Sequence, residues 1–157
     1  MICKINAGIF LVFLTATIYI HIGIDKDELI APYVQQLLEH QQIRYYKIVN
    51  ERRNIYFKGL ALGFILSLIL ILYNYYGLHN KLGRTSMLFM VGSLSLATQY
   101  FYYILSPKSD YMILHLETVQ QKKLWLNIYR TMTTKYHFGL LLGIVASLFL
   151  SNSFKCS

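Results

Sequence analysis

A chain of 157 residues in which 55% of side chains are hydrophobic and only 14% charged, with a mean hydropathy of +0.41, cannot clothe a soluble core in polar surface, which excludes an ordinary soluble domain. The length suits one folding unit, residues 1–157 as a single membrane domain. The formal charge of +8, from 15 Lys+Arg against 7 Asp+Glu, is the excess that membrane proteins carry in their loops rather than a nucleic-acid footprint.

Charged side chains are absent from Ile5–Ile24, Gly59–Asn80, Thr85–Pro107 and Tyr136–Phe154, stretches of 20, 22, 23 and 19 residues. Each meets the roughly 20 residues that crossing hydrocarbon requires. The pattern predicts an all-α polytopic membrane protein. Its four transmembrane helices fall at about 5–24, 59–78, 86–106 and 136–154, and two amphipathic helical loops, 25–58 and 108–135, lie on the same side. The first run follows Lys4, but it is long for a signal-peptide core and ends without a small-x-small cleavage site, so it is expected to stay as a span.

The first long loop opens on Asp25-Lys-Asp-Glu28, with Pro32 soon after, residues suited to the start of a helix. From Tyr33 onward Val34, Leu37, Leu38, Ile43, Ile48 and Ile55 interleave with charged residues, which predicts an amphipathic or extended helix running into the second span. Gly77–Arg84, with Gly77 and Gly83, predicts a tight antiparallel hairpin between the second and third spans. Ser106-Pro107 ends the third span, and Thr118-Val-Gln-Gln121 reads as a capping box opening the next helix. There Trp125, Ile128, Tyr129, Met132 and Tyr136 share a face suited to headgroups or a partner.

The two long loops hold eleven of the 15 basic residues, against four in the termini and the hairpin. The positive-inside rule therefore puts both long loops on the cytosolic-type face and both termini opposite. The cations and aromatic expected to contact a protein partner or lipid headgroups are Arg44, Lys47, Arg52, Arg53, Lys122, Lys123, Trp125 and Arg130.

Residues 56–68 match 136–148 at seven of thirteen positions, an offset of 80, and both close a unit of span, helical loop and span. This suggests a parallel duplication, with chance matching between Leu-rich segments as the alternative. Gly59, Gly63 and Ser67, and likewise Gly139, Gly143 and Ser147, recur every four residues and form faces where helix backbones can approach closely. Such seams can join helices of one chain or separate subunits, so a homo-oligomer stays open.

No charged residue lies inside a predicted span, which speaks against an ion-coupled transporter. The chain has no Gly-rich phosphate loop, nucleophile elbow, HExxH or CxxC, so no catalytic, cofactor or metal site is expected. Asp110, His115 and Glu117, beside Lys108, make the one acid/base cluster outside the first loop, and helix capping accounts for Asp110. His21, His79 and His137 read as interfacial or structural, and the clustered tyrosines as an aromatic belt. Cys3 and Cys156 fall on one side of the membrane, where free thiols or acylation are expected ahead of a bridge.

Ser106-Pro-Lys-Ser-Asp-Tyr-Met112, His115-Leu116 and Leu124-Trp-Leu-Asn-Ile-Tyr-Arg130 resemble a segment of small membrane and minor capsid proteins of large double-stranded DNA viruses. The resemblance implies a virion protein in the membrane beneath an icosahedral capsid, partnered by lipid and by other capsid or membrane proteins through residues 25–58 and 108–135. The expected function is accordingly non-enzymatic and structural. Two other classes compete with it. One is a small membrane enzyme on lipophilic substrates, similar to glutathione transferases, although Asn50-Glu51-Arg52-Arg53-Asn54 lacks the order they need. The other is an oligomeric channel or carrier.

Overall fold

The computed structural model describes residues 3–22, 29–77 and 82–155, with the side chains of His21 and Ile22 outside the description, and its regular structure among these is all helical, with no strand. Residues 23–24 and 78 of the expected spans, the acidic opening at 25–28, His79 and Cys156 all lie outside the described residues.

The elements are α1 (Lys4–Ile22), the short α2 (Ala31–Gln35), α3 (Glu39–Leu72, continued by a π-turn Tyr73–Gly77), α4 (Arg84–Leu105), a 3-10 turn (Met112–His115) and α5 (Val119–Ser153). Among them α3, α4 and α5 are long and apolar enough to cross a membrane. The larger parts of the expected helical loops are the polar first halves of α3 and α5, so the helix of the first loop does run on into the apolar stretch that follows it. Pro32 sits at the start of α2, where its missing N–H costs nothing, but the helix does not run on. It breaks at residues 36–38, where Leu38 is extended (φ −64°, ψ 154°) before α3 begins.

In the apolar region the helices stand in the order α3, α4, α5, α1. Small residues set the spacing. A Cβ on Gly63 would lie 2.6 Å from the carbonyl oxygen of Ser95, and one on Gly59 would lie 3.1 Å from that of Gln99. Ser67 completes this face of α3, its Oγ 2.6 Å from Ser95 Oγ and 3.2 Å from the carbonyl of Val91. On the other flank of α4, Gly92 faces the hydroxyl of Ser147 and Gly143 faces Leu96. Both small-residue faces thus pack against one helix of the same chain. With no side chain in the way, backbones approach closely, and the buried hydroxyls find acceptors that lipid would not supply.

The offset of 80 extends well beyond the matched segment. Lys4 and Arg84 begin α1 and α4, Glu39 and Val119 begin α3 and α5, and buried Ile48 and Ile128 are equivalents. Packing follows the same rule, α1 along α5 as α4 along α3. The repeat breaks at one seam: α4 also packs on α5, whereas its equivalent α1 forms no packed seam with α3 among the described residues.

Overpacking at a backbone contact costs ~1–3 kcal/mol, so Gly63→Val is expected to lower the thermal midpoint of the detergent-solubilised protein. Gly8→Ala meets no heavy atom within 4 Å and should leave it unchanged or raised. Equal midpoints for the two variants would show that the α3–α4 seam is not closely packed.

Candidate functional site: the helical head

The polar halves of α3 and α5, with α2 and the 3-10 turn, form a head at one end of the row. Both long helices open on the same device. Gln41 Oε1 accepts from the backbone N–H of Leu38 at 3.1 Å, and Gln121 Oε1 accepts from Thr118 at 3.2 Å and Glu117 at 3.1 Å. Thr118 Oγ1 returns the bond from Gln121 N at 3.1 Å, completing the capping box expected there. The spare amide hydrogens cross between the repeats. Gln121 Nε2 donates to Gln41 Oε1 at 3.1 Å and to the Gln36 carbonyl at 2.8 Å, while Gln41 Nε2 donates to the His115 carbonyl at 2.8 Å. Gln41 is 0% and Gln121 4% exposed, so these partners offset a desolvation cost that water cannot relieve.

Around the pair lies an aromatic and aliphatic core of Tyr33, Leu37, Tyr45, Ile48, Met112, Leu116 and Ile128. Trp125 closes it, its ring 5.6 Å from Tyr33 and 6.4 Å from Tyr45, the latter edge-to-face at 87°. Burial pushes the phenol pKa of Tyr33 and of Tyr45 upward, so both stay neutral.

On one flank, charges of the first repeat meet the connection that opens the second. His115 Nε2 lies 2.8 Å from Asp110 Oδ1, and Arg44 Nη1 lies 2.8 Å from His115 Nδ1 and 2.9 Å from Nε2. A guanidinium only donates and a carboxylate only accepts. The tautomer with Nε2–H toward Asp110 and a bare Nδ1 toward Arg44 therefore satisfies all three groups. The hydrogen bond from His115, with smaller help from Tyr111 N–H and Arg44, holds the Asp110 carboxyl below its ordinary range. Asp110 thus anchors the connection rather than capping a helix, the role its sequence context suggested. Glu51 accepts from Ser109 N at 2.9 Å and Ser109 Oγ at 2.7 Å, and these two bonds lower its pKa. Arg52 donates from Nη2 to the Asp110 carbonyl at 2.5 Å, and its guanidinium lies 5.4 Å from the centre of the Tyr111 ring. Its Nη1 stands 3.5 Å from Glu51 Oε1, an ion pair without a hydrogen bond. Lys108 bonds the carbonyls of Tyr103, Ile104 and Ser106 at the negative end of α4, and desolvation lowers its pKa.

The expected contact residues therefore separate into two groups. Arg44 and Arg52 spend much of their hydrogen bonding inside the chain, and Trp125 belongs to the head's own core. Lys47, Arg53, Lys122, Lys123 and Arg130 are exposed, Arg53 bonding only locally to Asn50 Oδ1 at 2.7 Å. Large apolar side chains of the head are exposed as well, with Ile43 66%, Leu114 73% and Val119 68% exposed. A cleft of about 250 Å³ opens between His40, Gln41 and Arg44 of α3 and residues 114–117. No group of three or more His, Cys, Asp or Glu among the described residues is placed to hold a metal ion. Sequence reasoning missed Gln41 and the exposed Leu114, because a lone polar or apolar residue in a mixed segment carries no periodic signal. No family model, no curated protein and no solved structure matches this chain.

Replacing Gln121 by Leu strands the carbonyl of Gln36, at ~1–3 kcal/mol for a buried unsatisfied group, and takes from the amide oxygen of Gln41 one of its two donors, leaving it the N–H of Leu38. The Gln41→Leu/Gln121→Leu double variant should lose less than the sum of the two single losses, read from thermal unfolding by Trp125 fluorescence. Strictly additive losses would mean that the two amides do not depend on each other.

Proposed function

We propose that this protein is a non-enzymatic membrane anchor whose head docks an acidic protein partner. The bilayer holds α3, α4 and α5, with α1 as a fourth span on the outer side of α5. The head stands on the cytosolic-type face and both termini stand opposite. At ~1.5 Å per residue, α3 runs about 30 Å from Glu39 to the start of its apolar stretch at Gly59, and α5 about 25 Å from Val119 to Lys135. A head of that reach stands clear of lipid headgroups, which favours a protein partner over lipid.

The observation that carries this reading is the start of α5. Its first turn holds no acidic residue, and Lys122 and Lys123 follow at once, at the helix end whose dipole is already positive. That placement costs helix stability and concentrates positive potential beside exposed Val119. Apolar anchors within a charged rim are the anatomy of a protein interface, and large exposed apolar side chains on a water-facing head are otherwise a liability. The segment resembling viral membrane and minor capsid proteins supports one setting for such a module, a bilayer beneath a protein shell.

Crosslinking mass spectrometry on the native membrane or particle tests this reading through Lys47, Lys122 and Lys123. Crosslinks to acid-rich peptides of another protein are expected. Lys122→Glu/Lys123→Glu should weaken that complex about tenfold and flatten its salt dependence, with the Trp125 unfolding midpoint unchanged. A homo-oligomer with no partner crosslinks, or a complex indifferent to the charge reversal, would refute it.

A further inference from the structure

We propose that His115 is a pH-operated latch: while neutral it holds Arg44 against the connection that opens the second repeat, and when protonated it releases the Arg44 guanidinium into the cleft between α3 and residues 114–117. Three groups share one proton there. His115 Nε2 lies 2.8 Å from Asp110 Oδ1, and Arg44 Nη1 lies 2.8 Å from His115 Nδ1. A guanidinium only donates, so Arg44 needs a ring nitrogen without a hydrogen. Neutral His115 supplies one at Nδ1 while its Nε2–H donates to Asp110. Protonation puts a hydrogen on Nδ1 and sets a second cation against the guanidinium at hydrogen-bond distance.

The geometry decides which partner lets go. The imidazolium keeps Asp110, because Nε2 is already in place on Oδ1 and a charge-assisted bond is stronger than a neutral one. Arg44 has only a long contact to the same carboxylate, Nε to Oδ2 at 3.7 Å. The backbone on the histidine's side stays fixed: Gln41 Nε2 donates to the His115 carbonyl at 2.8 Å, Arg52 to the Asp110 carbonyl, and Ser109 to Glu51. The Arg44 side chain is 49% exposed, so it moves into the cleft without opening the aromatic core.

His40 lines the cleft on the α3 side with Arg44, and Glu117 lines it on the opposite side. Glu117 offers the released guanidinium an anion. Asp110 faces the ring from the connection, with Glu51 and Arg52 behind it through Ser109 and the Asp110 carbonyl. Histidine is the side chain that ordinarily changes charge between about pH 5 and 8. The latch thus gives the head two charge patterns, with Arg44 drawn in at the upper end and turned out, beside a charged His115, at the lower. It acts within the head and does not depend on what the head docks.

The test is nitrogen NMR of the full-length protein in detergent micelles, with histidine and arginine isotopically labelled, titrated between about pH 8 and 5. His115→Gln and Arg44→Lys identify the two signals. Neutral His115 should be the Nε2–H tautomer, and the Arg44 Nε–H resonance should move toward that of a water-exposed guanidinium with the same midpoint as the His115 ring. In His115→Gln the amide can donate to Asp110 and accept from Arg44 but takes up no proton, so the Arg44 resonance should stay still, whereas in His40→Gln it should still move. A neutral Nδ1–H tautomer, an Arg44 resonance that ignores the His115 transition, or one that titrates unchanged in His115→Gln would each overturn the latch.

Discussion

The head depends on one buried contact, the amide of Gln121 against the amide oxygen of Gln41. Each glutamine closes the start of its own helix with its oxygen and reaches the other repeat with its nitrogen. Helix initiation and tertiary docking are thereby coupled, because a helix start that frays loses the crossing bond as well. Neither amide has water to fall back on, so the geometry is enforced by what its loss would cost. The aromatic core then packs around two helix ends already in register.

Two structurally similar halves meet there, and their differences are as informative as their likeness. At the same offset, Arg44, Glu51 and Arg52 correspond to Leu124, Thr131 and Met132. Leu124 packs against the apolar core, while the three charged residues bind residues 109–115. One flank of the head is therefore held by hydrophobic contact and the other by an ionic and hydrogen-bonded strap. Of the exposed cations, Lys122 and Lys123 lie at the start of α5 and are not among the side chains that make the strap.

Much of the architecture is legible in the sequence, because hydrocarbon imposes a simple demand. Charge-free stretches of about 20 residues mark α3, α4 and α5, and small residues every fourth position mark the faces that meet α4. Thr118 and Gln121 announce the start of α5 by side-chain chemistry alone. The head is less legible. The interleaving of apolar and charged residues from Tyr33 hides the break at residues 36–38, because α2 and α3 keep similar composition across it. Trp125 looks like a surface contact because a tryptophan beside lysines suits an interface, and only packing against Tyr33 and Tyr45 shows it turned inward. For Arg44 and Arg52, sequence gives the charge but not the contacts with Asp110 and Glu51.

The central claim is that α3 leaves the apolar region without interruption and carries the head clear of the bilayer. The most direct measurement is nitroxide scanning of residues 43–72 in vesicles, with collision rates to oxygen and to a water-soluble nickel reagent. The account predicts one unbroken period of ~3.6 residues, with nickel access through the head and oxygen access taking over from about Gly59. A break in that period near Lys58, or oxygen-rich, nickel-poor collisions at head positions such as Ile43 and Val49, would place the first half of α3 along the membrane surface and contradict it.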